Sequence, residues 1–142
     1  PVYLSWAWRN RSDLIRIPEY KPGKEEATRI EYRAADPACN PYLVFSVMLA
    51  AGLDGVKNGW EPPEPVEENV YKMPEEERKR RGIGTLPASL GEAIALAEKS
   101  QLLREALGDH VFNSFIENKK IEWDLYRTQV TDYEIKRYLP IL

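Results

Sequence analysis

The sequence predicts an α+β fold in which short antiparallel strands come first and helices fill the C-terminal half. Three observations predict it. Three short stretches within the first 33 positions, Val2 to Trp8, Asp13 to Ile17 and Thr28 to Arg33, read as strands separated by turn and loop residues. Asn40 followed by Pro41 is a helix-opening pair. Beyond Pro74, apolar side chains recur at helical spacing behind capping residues.

Each element has its own justification. Val2 to Trp8 is a strand rich in β-branched and aromatic residues, with Val2, Leu4, Trp6 and Trp8 on one face and Tyr3, Ser5 and Ala7 on the other. Arg9 to Ser12 is a polar turn, Asp13 to Ile17 a second strand, and Pro18 ends it. Glu19 to Ala27 is a loop with Pro22-Gly23 as its turn signal. Thr28 to Arg33 is a third strand, and three strands this close together predict antiparallel pairing. The helix opened by Asn40 runs to about Lys57 and leaves no polar stripe, so burial on most sides is expected. Trp60 to Val66 is a Pro-rich extended loop. Pro74 followed by three glutamates and then Lys79, Arg80 and Arg81 is a short helix with charges matched to its dipole. Ser89 and Glu92 form a capping box for a helix to about Lys99. A further turn covers Gln101 to Leu107, and Gly108 stops it. The last helix, Asp109 to about Gln129, is expected to bury Phe112, Phe115, Ile116, Trp123 and Tyr126.

Composition narrows the functional classes. At 142 residues, 43% hydrophobic and 30% charged, the chain is about one globular domain long and not a disordered sequence. A net charge of -3 argues against sequence-independent nucleic-acid binding, which needs a basic face. The longest apolar run, Tyr42 to Leu53, is too short for a membrane span. A single cysteine, Cys39, excludes an internal disulfide and suits a reducing compartment, so a cytoplasmic location is expected. The N-terminus has neither Met nor a signal peptide and reads like a chain entered in mid-strand, which predicts a segment of something longer.

The chemistry is concentrated in arginine. Arg9, Arg11, Arg16, Arg29 and Arg33 lie within the first 33 residues, and Arg29, Glu31 and Arg33 share one strand face. Two guanidiniums roughly 7 Å apart are unfavourable unless something anionic lies over them, and phosphate or carboxylate would satisfy both. A carboxylate in that setting can also hold Mg²⁺. The same spacing also suits an ordinary exposed sheet face with cross-strand ion pairs. His110 and Cys39 lack partner motifs, and Tyr71 is an exposed loop aromatic.

Longer motifs say more than spacing does. Asn10-Arg11-Ser12 with Ile15-Arg16-Ile17-Pro18, then Arg29-Ile30-Glu31-Tyr32-Arg33, Asp36-Pro37, Asn40-Pro41-Tyr42-Leu43 and Ala50-Ala51-Gly52-Leu53-Asp54-Gly55 with Lys57-Asn58, closely resemble the C-terminal part of class I glutamine synthetases. The likeness continues through Glu64-Pro65-Val66, Asn69, Tyr71 and Leu86-Pro87-Ala88-Ser89-Leu90 into the last helix, so it covers residues 1–142 as a C-terminal segment of the catalytic domain.

That resemblance implies ATP-dependent ligation of ammonia to glutamate through γ-glutamyl phosphate, with Mg²⁺ or Mn²⁺, in a twelve-subunit homo-oligomer. It implies that Arg11 contacts the transferred phosphate and the glutamyl side chain, that Arg16 and Arg29 contact ATP phosphates, that Glu31 binds metal, and that Arg33 steadies the glutamate substrate. Arg11 and Arg33 are thus the candidate catalytic and glutamate-binding residues; Arg11, Arg16 and Arg29 are the candidate ATP contacts. It further implies that the family's β-grasp domain, its other metal ligands and its flap glutamate precede position 1, so the isolated chain carries part of a site and is expected to be inactive. Tyr71 matches a tyrosine that some members adenylylate, but Thr128 to Tyr133 looks more like the subclass without that control. The alternatives are a related ligase acting on a larger amine, or a non-catalytic assembly module.

Overall fold

Trp6–Ala7 (β1), Ile15–Arg16 (β2) and Glu31–Tyr32 (β3) form a three-stranded sheet in the order β1-β2-β3 in the computed structural model, which describes residues 2–142. β2 and β3 are antiparallel, as the sequence predicts, with Arg16 opposite Glu31 and Ile15 opposite Tyr32. β1 and β2 are parallel, against expectation, with Trp6 opposite Ile15 and Ala7 opposite Arg16. A hairpin would reverse the chain between them. Instead the turn 9–14 is pinned from afar: Asn10 Nδ2 donates to the carbonyls of Val66, at 3.1 Å, and Glu68. Asn10 Oδ1 accepts from the Ser12 amide at 3.0 Å, and Ser12 Oγ accepts from the Val70 amide at 3.3 Å. These bonds fix a direction that no local turn signal encodes.

The strands are also shorter than expected, because β1 and the residues before it are shared among several partners. The Val66 amide donates to Trp6 O at 2.8 Å, Leu4 donates to Gly84 O at 2.9 Å, and Leu86 donates to Val2 O at 2.7 Å. Of the two faces, the small one turns inward. Ser5 and Ala7 are buried and Tyr3 half-buried, whereas Val2, Leu4 and Trp8 are about half exposed. Behind this face Val66, Val70 and Met73 form a small core with Tyr3 and Ile83. The Arg78 guanidinium lies 4.6 Å from the Tyr3 ring centroid.

Helix α1, Pro41–Asn58, starts and stops as predicted. Asn40 Oδ1 accepts from the amides of Tyr42 at 3.0 Å and Leu43 at 3.4 Å, and Gly59 ends the helix in the left-handed region. Its expected burial is not found, and none of its residues is buried. Leu43, Val44 and Val47 are half-covered, while Tyr42, Phe45, Leu49 and Val56 are exposed. A helix that is apolar all round requires neighbours on every side, and residues 2–86 do not supply them. In α2, Glu75–Arg80, the Arg80 guanidinium and then that of Arg81 hold the Glu77 carboxyl down to about 2. Trp60 to Val66 is without regular structure, as expected.

A first compact unit ends at Leu86, and a second, Pro87–Leu142, is helical. It contains α3 (Leu90–Lys99), α4 (Gln101–Leu107), α5 (Asp109–Arg127) and α6 (Asp132–Tyr138). Ser89 Oγ caps α3 by accepting from the Glu92 amide at 3.2 Å, but the Glu92 carboxylate turns to the Ala88 amide, so the box is not closed on Ser89. A complete capping box does occur at Thr131 and Glu134, opening α6, which lies beyond the last helix expected from the sequence. Ile94, Phe112 and Ile116 form the core, with Phe115 and Trp123 packed against it. Tyr126, expected inside, is 71% exposed, because it lies one turn past Trp123 and stacks on that ring at 6.0 Å instead.

Gly91 of α3 lies against Trp123 of α5. A Cβ there would lie 2.8 Å from the Trp123 indole. Gly91→Ala is therefore expected to force the indole or the helix aside and to destabilise the helical unit by about 1–3 kcal/mol. Thermal denaturation followed by circular dichroism checks this, and an unchanged midpoint would show that the contact yields freely. No helix among the described residues is long and apolar enough to cross a membrane.

Candidate functional site

The sheet register brings together what sequence spacing only half reveals. Alternation within β3 and its flanks puts Arg29, Glu31 and Arg33 on one face, and antiparallel pairing sets Arg16 directly opposite Glu31. Arg16 Nη1 donates to Glu31 Oε2 at 2.9 Å, Arg29 Nη2 donates to Oε1 at 2.7 Å, and Arg33 Nη1 stands 4.0 Å from Oε2. Hydrogen bonds from Arg16 and then Arg29 hold the Glu31 carboxyl below the usual range, so it stays ionised at neutral pH. The cross-strand pairing that the spacing leaves open is thus present. One carboxylate faces three guanidiniums, leaving an excess of positive charge for an anionic ligand.

A cavity of about 470 Å³ opens beside this cluster, with Arg9, Arg16, Lys21, Lys24 and Arg29 on its walls and Glu19 and Tyr20 among them. Arg9 is paired with Glu19. The cavity gathers Arg16 and Arg29, the two residues expected to meet ATP phosphates only, and neither Arg11 nor Arg33 lines it. Lys21 and Lys24, to which the sequence assigns no role, line the cavity as well, on a loop whose charge was visible.

Arg11 stands apart on the turn 9–14. It is exposed and pairs with no acid among the described residues. Asn10 and Ser12, on either side of it, are the two residues that tie the turn to segment 66–70. His110 is exposed, Cys39 is a half-buried free thiol, and no group of three metal-ligating side chains comes together among the described residues. Tyr71 is 51% exposed, meets Tyr3 edge-on at 5.1 Å, and its hydroxyl accepts from the Val2 amide at 3.2 Å.

Residues 1–138 match the family model described as "Glutamine synthetase, catalytic domain". The chain belongs to the glutamine synthetase family. It is 51% identical to the glutamine synthetase of Methanocaldococcus jannaschii over 98% of its own length and 30% of that protein's. It is 53% identical to that of Methanococcus maripaludis, covering 99% of this chain and 31% of the relative, and 50% identical to that of Thermotoga maritima over 98% and 31%. The chain therefore spans just under a third of the length of these relatives. The cryo-EM structure of a Plasmodium falciparum glutamine synthetase shares the fold with a TM-score of 0.73 at 21% identity, covering 96% of this chain and 34% of that one. The α+β class expected from the sequence is the class found.

Proposed function

We propose that this chain forms the C-terminal segment of the catalytic domain of a glutamine synthetase, which joins ammonia to glutamate with ATP through γ-glutamyl phosphate. The observation that carries the reading is identity of about half over nearly the whole chain to proteins named glutamine synthetase. The chemistry of the arginine cluster supports it. Phosphoryl transfer depends mainly on positioning and charge neutralisation, and both are tasks for preorganised guanidiniums. Arg16 and Arg29 receive the ATP phosphates at the cavity. Arg29 can exchange its bond from Glu31 to phosphate because its side chain is 55% exposed. Arg11 contacts the transferred phosphate and the glutamyl side chain, and Arg33 steadies the glutamate. The reading includes a cytoplasmic, twelve-subunit assembly.

Glu31 can serve a divalent cation as a single ligand only by exchanging an arginine bond for it, since Arg16 holds Oε2 and Arg29 holds Oε1. Its carboxylate is ionised and its side chain is only 23% exposed, but it has no ligating companions among the described residues. The remaining donors come from the portion of the protein corresponding to the relatives' additional length. When bound, Mg²⁺ or Mn²⁺ shields phosphate charge.

The reading is tested in the full-length protein by glutamine formation from glutamate, ammonia and ATP; no formation overturns it. Glu31→Gln is expected to weaken the activating metal by at least the roughly tenfold that even an outer-shell change costs, with circular dichroism unchanged. A metal titration matching the wild type would remove Glu31 from the site.

A further inference from the structure

The least expected polar group in the chain is the Asp13 carboxyl. Asp13 is 0% exposed, and neither carboxyl oxygen has a hydrogen-bond partner at bonding geometry among the described residues. Ser5 Oγ, on the neighbouring segment leading into β1, is buried and near enough to draw on the carboxyl, but among the described residues it completes no hydrogen bond. A carboxylate sealed from water with no more than one distant hydroxyl to draw on is among the most costly arrangements a fold can contain, whereas the neutral acid is far cheaper to bury.

The charges on the elements around Asp13 do not favour its ionisation. Glu67, on segment 66–70, bears on it with like charge, and Glu68 on that segment is paired with Arg81. On its own turn and strand, Arg11 is exposed, and Arg16 is turned to Glu31. Arg33, which follows β3 and whose amide donates to Leu14 O, also approaches Glu31. The segment 5–7 brings no titratable group. Burial pushes the Asp13 carboxyl above its ordinary value, Ser5 draws it down less, and Glu67 raises it further.

We propose that Asp13 is a positioning residue whose buried carboxyl, neutral in the closed fold, lets the turn bearing Arg11 seat against segment 66–70 and releases that turn when it ionises. The geometry makes the coupling direct. Asp13 lies two residues beyond Arg11 and next to Ser12, whose hydroxyl is one of the turn's ties to that segment. An ionised Asp13 gains water only if the turn lifts, and lifting the turn breaks the Asn10 and Ser12 bonds and displaces Arg11. The effect on turnover rests on the proposed contact between Arg11 and the transferred phosphate; the effect on stability does not.

The sign follows from the raised value. A carboxyl that binds its proton more tightly when folded gives its full stabilisation below the ordinary value near 3.8. That stabilisation declines as pH rises towards the folded value, by about tenfold in the folding equilibrium per pH unit across the window. Asp13→Asn, which imitates the neutral acid, is compared with wild type in the full-length protein, with Asp13→Ala as a second variant lacking the proton. Thermal midpoints are expected to separate progressively from wild type as pH rises, the wild type falling relative to both variants. Its kcat is expected to decline over the same window, while that of Asp13→Asn does not. Midpoint differences independent of pH overturn the inference. A pH-dependent midpoint difference with superimposable kcat profiles overturns the catalytic role given to Arg11 and, with it, the coupling of Asp13 to turnover.

Discussion

Replacing Arg33 with lysine in the full-length protein is expected to lower turnover by about 10²-fold while leaving the KM for ATP largely unchanged. Lysine keeps the positive charge, so a group that served only to attract ATP would tolerate the exchange. What it loses is the planar fork that can hold a carboxylate and a developing phosphate oxygen at fixed angles. Arg33 sits 4.0 Å from Glu31 and outside the cavity lined by Arg16 and Arg29, which separates it from the residues assigned to resting nucleotide phosphates. Steady-state kinetics with varied ATP and glutamate would decide. An increased requirement for ATP at unchanged turnover would place Arg33 among the nucleotide contacts and remove it from the transfer step.

Phe112→Ala is expected to be the most damaging change in the helical unit, costing about 3–5 kcal/mol. Phe112 is 2% exposed, packs with Ile94 and Ile116 at the centre of the unit, and carries the Arg104 guanidinium 4.1 Å above its ring. Only these three residues of the unit's core are fully covered, so losing the largest leaves a cavity that the half-covered Leu103, Leu107 and Phe115 cannot easily fill. Hydrogen exchange should show lost protection in α3, α4 and α5 together. Protection indistinguishable from wild type would mean that the core collapses onto the space without loss.

The parts of this fold that were legible in the sequence are those fixed by neighbours in the chain. The Asn40 cap with Pro41, the glycine stop at Gly108, the limits of α4 and the convergence of Arg29, Glu31 and Arg33 all depend on residues a few positions apart. What depended on distant partners was not legible. The parallel pairing of β1 with β2 is set by Asn10 reaching Val66, the exposure of α1 by the neighbours it lacks, and that of Tyr126 by the point at which α5 outruns its core. In the candidate site, Arg16 was visible as a residue, but its place opposite Glu31 required the register. Lys21 and Lys24 stood in a loop whose return towards Arg16 and Arg29 no spacing rule describes.

The ties between Asn10 and segment 66–70 also govern the order in which the first unit can fold. The contact from Asn10 to Val66 spans 56 residues. Closing a flexible loop of that length costs about 3.5 kcal/mol in chain entropy, against about 1 kcal/mol for a four-residue turn. The nucleation of α1 involves only local contacts and is not slowed in this way. The Arg11 turn therefore orders late, after the chain has come back on itself. During synthesis, a nascent chain still holding residues 66–70 in the ribosome contains every arginine of the candidate site without the scaffold that aims Arg11.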